Sequence, residues 1–372
     1  MRTIIEKSAL LKALNHVQSV VERRNTIPIL SNVLLQAKGG MLALTATDLE
    51  IEIREKIEAD VMQDGAITAP AHMLYDIVRK LPDGAQVELA LEGDGGRLNL
   101  TSGPSHFTLQ TLPRDDFPTM SQDEMPVAFA LPGASLHTLI DRTKFAISSE
   151  ETRYYLNGIF LHTVEAGDRA LLRAVATDGH RLAQAQIVQP VGAAGMPSII
   201  VPRKTVNEIQ KLLEEGGGEV SIQLSDTRIN FAFENIVLTS KLIDGKFPDY
   251  SRVIPVDNDK QLSVDVKSFS QSVDRVSAIS SEKSRAVKLM LGSDKLTFSV
   301  SNPDGGSATD EVAVAYDASP LEIGFNARYL LDIMSQIEGE TASFELADSG
   351  SPTIVRDLAD ADALYVLMPM RV

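Results

Sequence analysis

Asp178-Gly179-His180-Arg181 places a carboxylate, an imidazole and a guanidinium within four residues, the components of a general acid–base pair. Read that way, the chain would be a hydrolase centred on Asp178 and His180. Adjacency along a chain is not geometry, however, and the usual supports are missing: there is no HExxH, Walker loop, GxSxG or GxGxxG. The six His are scattered without metal-ligand spacing, and with no Cys there is no thiolate site, disulfide or Cys nucleophile. Neither a metal nor another cofactor is expected. Gly216-Gly217-Gly218 and Asp94-Gly95-Gly96 read as hairpin or helix-exit turns, not phosphate cradles.

The same acid-bearing motif recurs, which changes its meaning. Ala46-Thr47-Asp48 matches Ala176-Thr177-Asp178, and Asp116-Phe117-Pro118 matches Lys246-Phe247-Pro248, both pairs 130 positions apart. A more diverged third copy has Ser301-Asn302-Pro303-Asp304 where the Thr-Asp pairs fall. Its Phe325-Asn326-Ala327 falls where Ala69-Pro70-Ala71 and Val201-Pro202-Arg203 fall. The 372 residues exceed what one core usually supports, and the repeat divides them into three domains of about 124 residues. Each copy splits again into two similar halves. A unit used six times shapes a surface more readily than it builds one asymmetric catalytic pocket.

Each half opens with an amphipathic segment whose apolar residues recur at three- and four-residue steps. The six are marked by Leu10, Leu14, Val17 and Val21; Leu74, Ile77, Val78 and Leu81; Leu136, Leu139 and Ile140; Val206, Ile209, Leu212 and Leu213; Val266, Phe269, Val273 and Val276; and Leu330, Ile333, Met334 and Ile337. Short alternating segments follow, such as Met41-Leu42-Ala43-Leu44-Thr45 and Ile51-Glu52-Ile53-Arg54, which read as antiparallel strands. A helix and roughly four strands per half predict an α+β fold: three repeated domains, each with two helices packed on antiparallel sheets. Polar, Pro-containing stretches at Gln122 to Pro126 and Pro255 to Lys260 set the boundaries at 1–123, 127–255 and 256–372.

Net charge is −16, which as an average argues against nucleic acid. The charge is segregated, though. Residues 7–24, 72–80, 135–144, 203–213, 267–275 and 327–337 hold 14 Lys and Arg against 6 Asp and Glu, while the rest of the chain is strongly acidic. Helices sharing one side of an assembly would present a cationic surface to a polyanion. Solvated helix faces would explain the same count, and an acidic β-rich interaction protein that never touches DNA is the competing reading. With no Trp and 5% aromatic residues, a base-stacking platform is not expected. Met1-Arg2-Thr3-Ile4-Ile5-Glu6 lacks the apolar core of a signal peptide and no run approaches membrane-span length, so a soluble cytoplasmic protein is expected.

The chain closely resembles the bacterial DNA polymerase III β subunit family, the sliding clamps, over essentially its whole length. The matching runs are Thr26-Ile27-Pro28-Ile29-Leu30-Ser31-Asn32, Thr45-Ala46-Thr47-Asp48-Leu49-Glu50, Arg153-Tyr154-Tyr155-Leu156-Asn157-Gly158, Ala176-Thr177-Asp178-Gly179-His180-Arg181-Leu182-Ala183, Val201-Pro202-Arg203-Lys204, Lys246-Phe247-Pro248-Asp249-Tyr250 and Met368-Pro369-Met370-Arg371-Val372. The resemblance implies a head-to-tail homodimer whose six domains close into a ring, helices lining the hole, around duplex DNA of any sequence. It implies a processivity factor without a catalytic site of its own, tethering the DNA polymerase III alpha subunit. It further implies service to the clamp loader complex and to other DNA polymerases and repair proteins through short linear motifs.

Residues carried over from the resemblance fall into three groups. A partner-peptide groove would be lined by Arg153, Leu156, Thr177, Gly179, His180, Arg181, Leu182, Pro248, Arg252, Val253, Met368, Pro369, Met370 and Arg371, an apolar slot with adaptable Met walls. DNA contacts would come from Arg24, Arg79, Tyr154, Tyr155, Arg203 and Lys204. His72 and Glu150 depart from the basic and amide residues expected at their positions, which puts contacts there in doubt. At the dimer interface Phe107 and Leu109 would meet Ala278 and Ile279. Pro104 and His106 on one side, with Gly305-Gly306 on the other, make that interface less ionic than in family members with charged pairs.

Overall fold

A computed structural model describes residues 1–93, 96–120, 124–216, 218–281, 285–303 and 305–372. Asp94, Gly95, Gly217, Asp304 and the expected boundary at Gln122 lie outside the described residues. Copy one runs β1 (Arg2–Glu6), α1 (Lys7–Gln18), β2 (Asn32–Lys38), β3 (Met41–Thr47), β4 (Ile51–Glu58), β5 (Asp60–Gln63), β6 (Gly65–Pro70), α2 (Ala71–Lys80), β7 (Gln86–Glu92), β8 (Arg97–Ser102) and β9 (Ser105–Gln110). Copy two runs β10 (Val127–Pro132), α3 (Gly133–Lys144), β11 (Gly158–Ala166), β12 (Arg169–Thr177), β13 (Arg181–Val188), β14 (Ile199–Pro202), α4 (Arg203–Glu215), β15 (Glu219–Leu224), β16 (Arg228–Ala232) and β17 (Ile236–Lys241). Copy three runs β18 (Lys260–Asp265), α5 (Val266–Ser277), β19 (Ala286–Gly292), β20 (Lys295–Asn302), β21 (Gly306–Ala313), β22 (Ala315–Tyr316), β23 (Leu321–Asn326), α6 (Ala327–Met334), β24 (Thr341–Leu346), β25 (Thr353–Asp357) and β26 (Asp360–Leu367). Among the described residues no helix is long and apolar enough to cross a membrane.

Each half opens on a strand, not on its helix as the sequence suggests. The strands before the helices are only four to six residues long, so their alternation is easily absorbed into the helical pattern. Pro70 and Pro202 stand immediately before α2 and α4; Pro lacks the N–H that a first helical turn leaves unsatisfied. Asp265 caps α5 by accepting Ser268 N–H at 2.7 Å, and Asn326 caps α6 by accepting Arg328 N–H at 2.9 Å. The apolar stripes are buried as expected: Leu10, Leu14 and Val17 in α1, Phe269, Val273 and Val276 in α5, Leu330, Ile333 and Met334 in α6. Val21 and Ile337 are buried too but lie past the last turns of α1 and α6.

The chain forms two compact units. The first comprises residues 1–134, 190–193 and 207–242; the second comprises 135–189, 194–206 and 243–372. In the first unit a five-stranded sheet has the order β5-β1-β7-β8-β9 and an eight-stranded sheet the order β10-β15-β16-β17-β4-β3-β2-β6. In the second, a nine-stranded sheet runs β14-β11-β12-β13-β26-β25-β24-β18-β22 and a four-stranded sheet β21-β20-β19-β23. Sheets therefore continue through the repeat boundaries. β4 of copy one pairs antiparallel with β17 of copy two, Ile53 opposite Leu238; β13 of copy two pairs with β26 of copy three, Ala183 opposite Tyr365. Copy two is divided, its first-unit strands being β10 and β15 to β17.

The helical bounds also trim the charge argument. The six helices hold 12 Lys and Arg against 7 Asp and Glu, an excess of five where the longer sequence segments gave eight. Arg23 and Arg24 fall beyond α1, and Glu214 and Glu215 fall within α4. The sign of the segregation survives.

In the first unit α1 packs on α2, β3 and β4. There His16 is 5% exposed and lies between two carboxylates, Nδ1 at 2.7 Å from Glu55 of β4 and Nε2 at 2.9 Å from Glu215 of α4. Burial alone would lower the imidazole pKa, but the hydrogen bond and charge of Glu55, then those of Glu215, outweigh it and raise the value above 6.5. The raised folded-state pKa means that this contribution is full below pH 6.5 and is lost as pH climbs through the folded value. His16→Gln should cost about 3 kcal/mol at pH 6, because Glu55 stays buried without a counter-charge. In urea unfolding the gap between wild type and variant should shrink toward pH 9; a gap that holds constant would show His16 to be neutral.

Candidate peptide-docking site and nucleic-acid surface

Thr177 and Asp178 close the β12–β13 hairpin. Thr177 Oγ1 donates to Arg181 O at 2.7 Å and accepts Gly179 N–H at 3.1 Å; Asp178 Oδ1 accepts His180 N–H at 2.9 Å and Arg181 N–H at 3.1 Å. Thr47 and Asp48 make the same four bonds between β3 and β4, to Ile51 O and from the N–H groups of Leu49, Glu50 and Ile51. The repeated Thr-Asp is thus a turn fixture, an Asx-type cap on a tight hairpin. The third residue of the turn needs φ > 0, supplied by Gly179 at +88° and by Leu49 at +78° at a cost of order 1 kcal/mol. A Cβ on Gly179 would also stand 2.7 Å from the Arg153 guanidinium. Asp178 is fully engaged, its Oδ2 accepting Arg181 Nε at 3.1 Å, and the His180 ring lies over Tyr329 instead of facing the carboxylate.

Around this turn the second unit gathers most of the expected groove residues. Leu156 and Leu182 are buried in one apolar cluster with Val175, Ile200, Phe247, Tyr250, Ile354, Leu364 and Val366, and Tyr155 and Ile254 pack against it. Pro248 follows Phe247, and a 3-10 turn at Tyr250–Val253 carries Arg252 and Val253, both exposed, past Tyr250. The tail leaves β26 beside the hairpin: Met368 N–H donates to His180 O at 2.9 Å and Met370 N–H to Gly324 O at 2.9 Å. Only Gly fits at 324, since a Cβ there would lie 2.5 Å from Met370 O. Met368 is 38% exposed and Pro369 and Met370 half-buried, so two flexible thioethers border a hydrophobic floor. Arg371 is exposed at the end of the tail.

Two groove residues play structural parts. Arg181 is 8% exposed; besides Asp178 it holds Asp332 Oδ2 at 2.5 Å and Phe145 O at 2.7 Å, with its guanidinium 4.3 Å from the Tyr329 ring centroid and 5.0 Å from that of Phe145. Its side chain is a pin under the site. Arg153 is half-exposed and pairs with Glu150 at 3.2 Å. Beneath the floor, and not foreseen from sequence, Tyr250 Oη sits 3.0 Å from His162 Nε2 and accepts Arg173 Nη1 at 3.1 Å. Burial, helped by the Arg173 charge, lowers the His162 pKa to about 4, so the ring is neutral at pH 7.

The expected DNA-contacting residues differ in how free they are. Arg24 is exposed. Arg79 is exposed and makes a loose pair with Asp76 at 3.3 Å. Tyr154 is 54% exposed and lies edge-on to Tyr155, ring centroids 5.7 Å apart. Arg203, by contrast, caps the exit of α3, donating to Ile147 O at 2.7 Å and Ser148 O at 2.5 Å, and Lys204 beside it is half-buried. His72 uses both ring nitrogens to tie α2 to α1, 2.8 Å from Gln18 Oε1 and 3.0 Å from Val21 O. At the expected dimer contact Phe107 is 36% exposed on β9, while Leu109 is already buried in its own chain; Ala278 is exposed and Ile279 half-buried just past α5.

The sequence matches three family descriptions in order: DNA polymerase III beta subunit, N-terminal domain, over residues 1–121; central domain, over 130–249; and C-terminal domain, over 251–371. It is 55% identical over 372 residues to the beta sliding clamp of Caulobacter vibrioides and 39% identical over 374 residues to that of Escherichia coli, covering all of both chains. Among solved structures it is similar to a DnaN sliding clamp from Bartonella birtlesii bound to griselimycin, with TM-score 0.98, 51% identity and both chains covered completely. It is equally similar to a C. crescentus beta sliding clamp with PEG bound to its putative beta-motif tethering region, TM-score 0.98 and 55% identity over 100% of this chain and 99% of that one. The chain belongs to the DNA polymerase III beta subunit family of DNA sliding clamps.

Proposed function

We propose that two copies of this chain, each of three domains at 1–123, 127–255 and 256–372, join head to tail into a ring that encircles duplex DNA in the cytoplasm and holds a polymerase to it. The observation that carries this reading is that two of the outer sheet strands complete the pairing scheme used inside the chain. Inside the chain, the third strand after a copy's first helix pairs with the last strand of the next copy's second half: β4 with β17, β13 with β26. The strands left over in that scheme are β21 and β9, each an outer strand of its sheet. An unpaired edge invites another chain, and these two complement each other. Applying the internal register sets Phe107 opposite Ala308 of the partner subunit and Leu109 opposite Gly306 of the partner subunit, with Ala278 and Ile279 flanking them.

Topological linkage supplies retention, so contacts from Arg24, Arg79, Tyr154, Tyr155, Arg203 and Lys204 can be weak and blind to sequence. Catalysis has no part in this reading: the Asp178 carboxylate serves the hairpin and Arg181. The groove bordered by Met368, Pro369 and Met370 takes short apolar motifs from the DNA polymerase III alpha subunit, the clamp loader complex and other polymerases and repair proteins.

Loaded onto a nicked circle by a clamp loader, the protein should stay bound through gel filtration and be lost when the circle is linearised; equal loss from both forms would mean no ring. Met370→Arg should weaken binding of a polymerase-tail peptide at least about tenfold by putting a charge into the apolar slot, read by fluorescence anisotropy. Arg24→Ala with Lys204→Ala should lower duplex affinity and flatten its log–log salt dependence by about 1 to 2, and an unaltered slope would remove both from the contact.

A further inference from the structure

The joints between copies follow one plan, and a single chain leaves the third joint unfinished. The tenth residue of the first helix in every copy is basic: His16 in α1, Arg142 in α3, Arg275 in α5. His16 reaches Glu215, at the end of copy two's second helix, at 2.9 Å; Arg142 reaches Glu338, just past copy three's second helix, at 3.0 Å. The corresponding position in copy one is Asp83. Counted from the start of α2 it matches Glu215 counted from the start of α4. It also stands two residues before Ala85, whose carbonyl accepts the first N–H of α1, as Glu338 stands two before Glu340, which accepts the first N–H of α5.

The strand side repeats as well. His16 Nδ1 bonds Glu55 of β4, and Arg275 Nε bonds Asp310 of β21 at 2.7 Å. Glu55 and Asp310 hold equivalent places in their hairpins, opposite Leu44 and Phe298. What differs is exposure: the side chains of His16 and Arg142 are 4% and 7% exposed, covered at their joints, whereas that of Arg275 is 59% exposed and Asp83 is bare apart from Lys7 Nζ at 2.6 Å.

We propose that Arg275 binds Asp83 of the partner subunit, completing at both closing joints the cation-to-acid bond already made twice inside the chain. This rests on the ring reading. A second repeated bond has no counterpart there among the described residues. Glu208 and Asp332, the sixth residues of α4 and α6, accept from Ser19 and Arg181 across their joints; their counterpart Asp76 would face Ala278 and Gly306 of the partner subunit, which carry no side-chain donor.

With no native Cys, a variant carrying Asp83→Cys and Arg275→Cys gives a background-free test with a short bismaleimide. A covalent species at twice the 40.3 kDa chain mass is expected. A Phe107→Cys, Ala308→Cys variant reports the strand ladder separately. Linking at 107/308 without linking at 83/275 overturns the ion pair and leaves the ring; linking at neither, with a monomer by sedimentation, overturns both. In a double-mutant cycle, Arg275→Ala and Asp83→Ala should each raise the dimer Kd by about 30-fold per joint, roughly a thousandfold over two joints, with circular dichroism melts controlling for the bonds to Asp310 and Lys7. The double variant should be little worse than either single one; full additivity would overturn the pairing.

Discussion

A strand that ends a copy has one hydrogen-bonding edge already used and one still to be satisfied, and the architecture depends on how that edge is met. Backbone N–H and C=O groups cannot be left dry, so continuation of the sheet into the next copy is the least costly solution. Doing so twice, through β4–β17 and β13–β26, fuses the three copies and divides copy two between the compact units. It also fixes the identity of the leftover strands. A linear array of copies joined by one rule ends with one donor strand and one acceptor strand, and these are the two edges that the proposed ring would pair.

Electrostatics then refines the joints. At the first two, a buried cation on the helix faces acids from both sides, an arrangement whose cost of desolvation is offset only because every charge is paired. His16 alone among the three cations can lose its charge near neutral pH. The joint it serves is therefore the one whose strength depends on pH, while Arg142 and Arg275 stay charged throughout.

Much of the fold was legible because repetition multiplies weak signals. Six apolar stripes at matching offsets located the six α-helices of the described residues, whereas Asn326, Pro70 and Pro202, which stand immediately before three of them, align as repeats in the sequence without reading as helix starts. The strand that precedes each helix was absorbed into the helical pattern, since a few residues of alternation beside a cap look like a helix entrance. Most of the candidate groove residues are gathered around one hairpin, but their orientations were not legible. Arg181 and Arg203 read as cations offered to a ligand, yet buried carbonyls and carboxylates claim both, and nothing in one-dimensional spacing reveals that Asp332 or Ser148 lies within reach. His16, Arg142 and Arg275 carried a signal that was available, their common offset within the helices, and it becomes meaningful only once Glu215 and Glu338 are seen across the joint.

The proposed docking groove draws on an apolar cluster that copy two has in enlarged form. Copy one has its own version of the apolar cluster, Ile29, Leu30, Leu34 and Phe117, with Leu30 and Phe117 at the places of Leu156 and Phe247. Every member of that smaller cluster comes from copy one. Its copy-two counterpart is enlarged by Ile354, Leu364 and Val366 from copy three, delivered by the β13–β26 pairing. β17 is followed by the start of the next copy, whereas β26 is followed by Met368-Pro369-Met370, laid against His180 and Gly324 by two backbone bonds. The docking slot we propose therefore lies where strands of copy three and the thioethers of Met368 and Met370 add to the copy-two cluster, an addition that the copy-one cluster lacks.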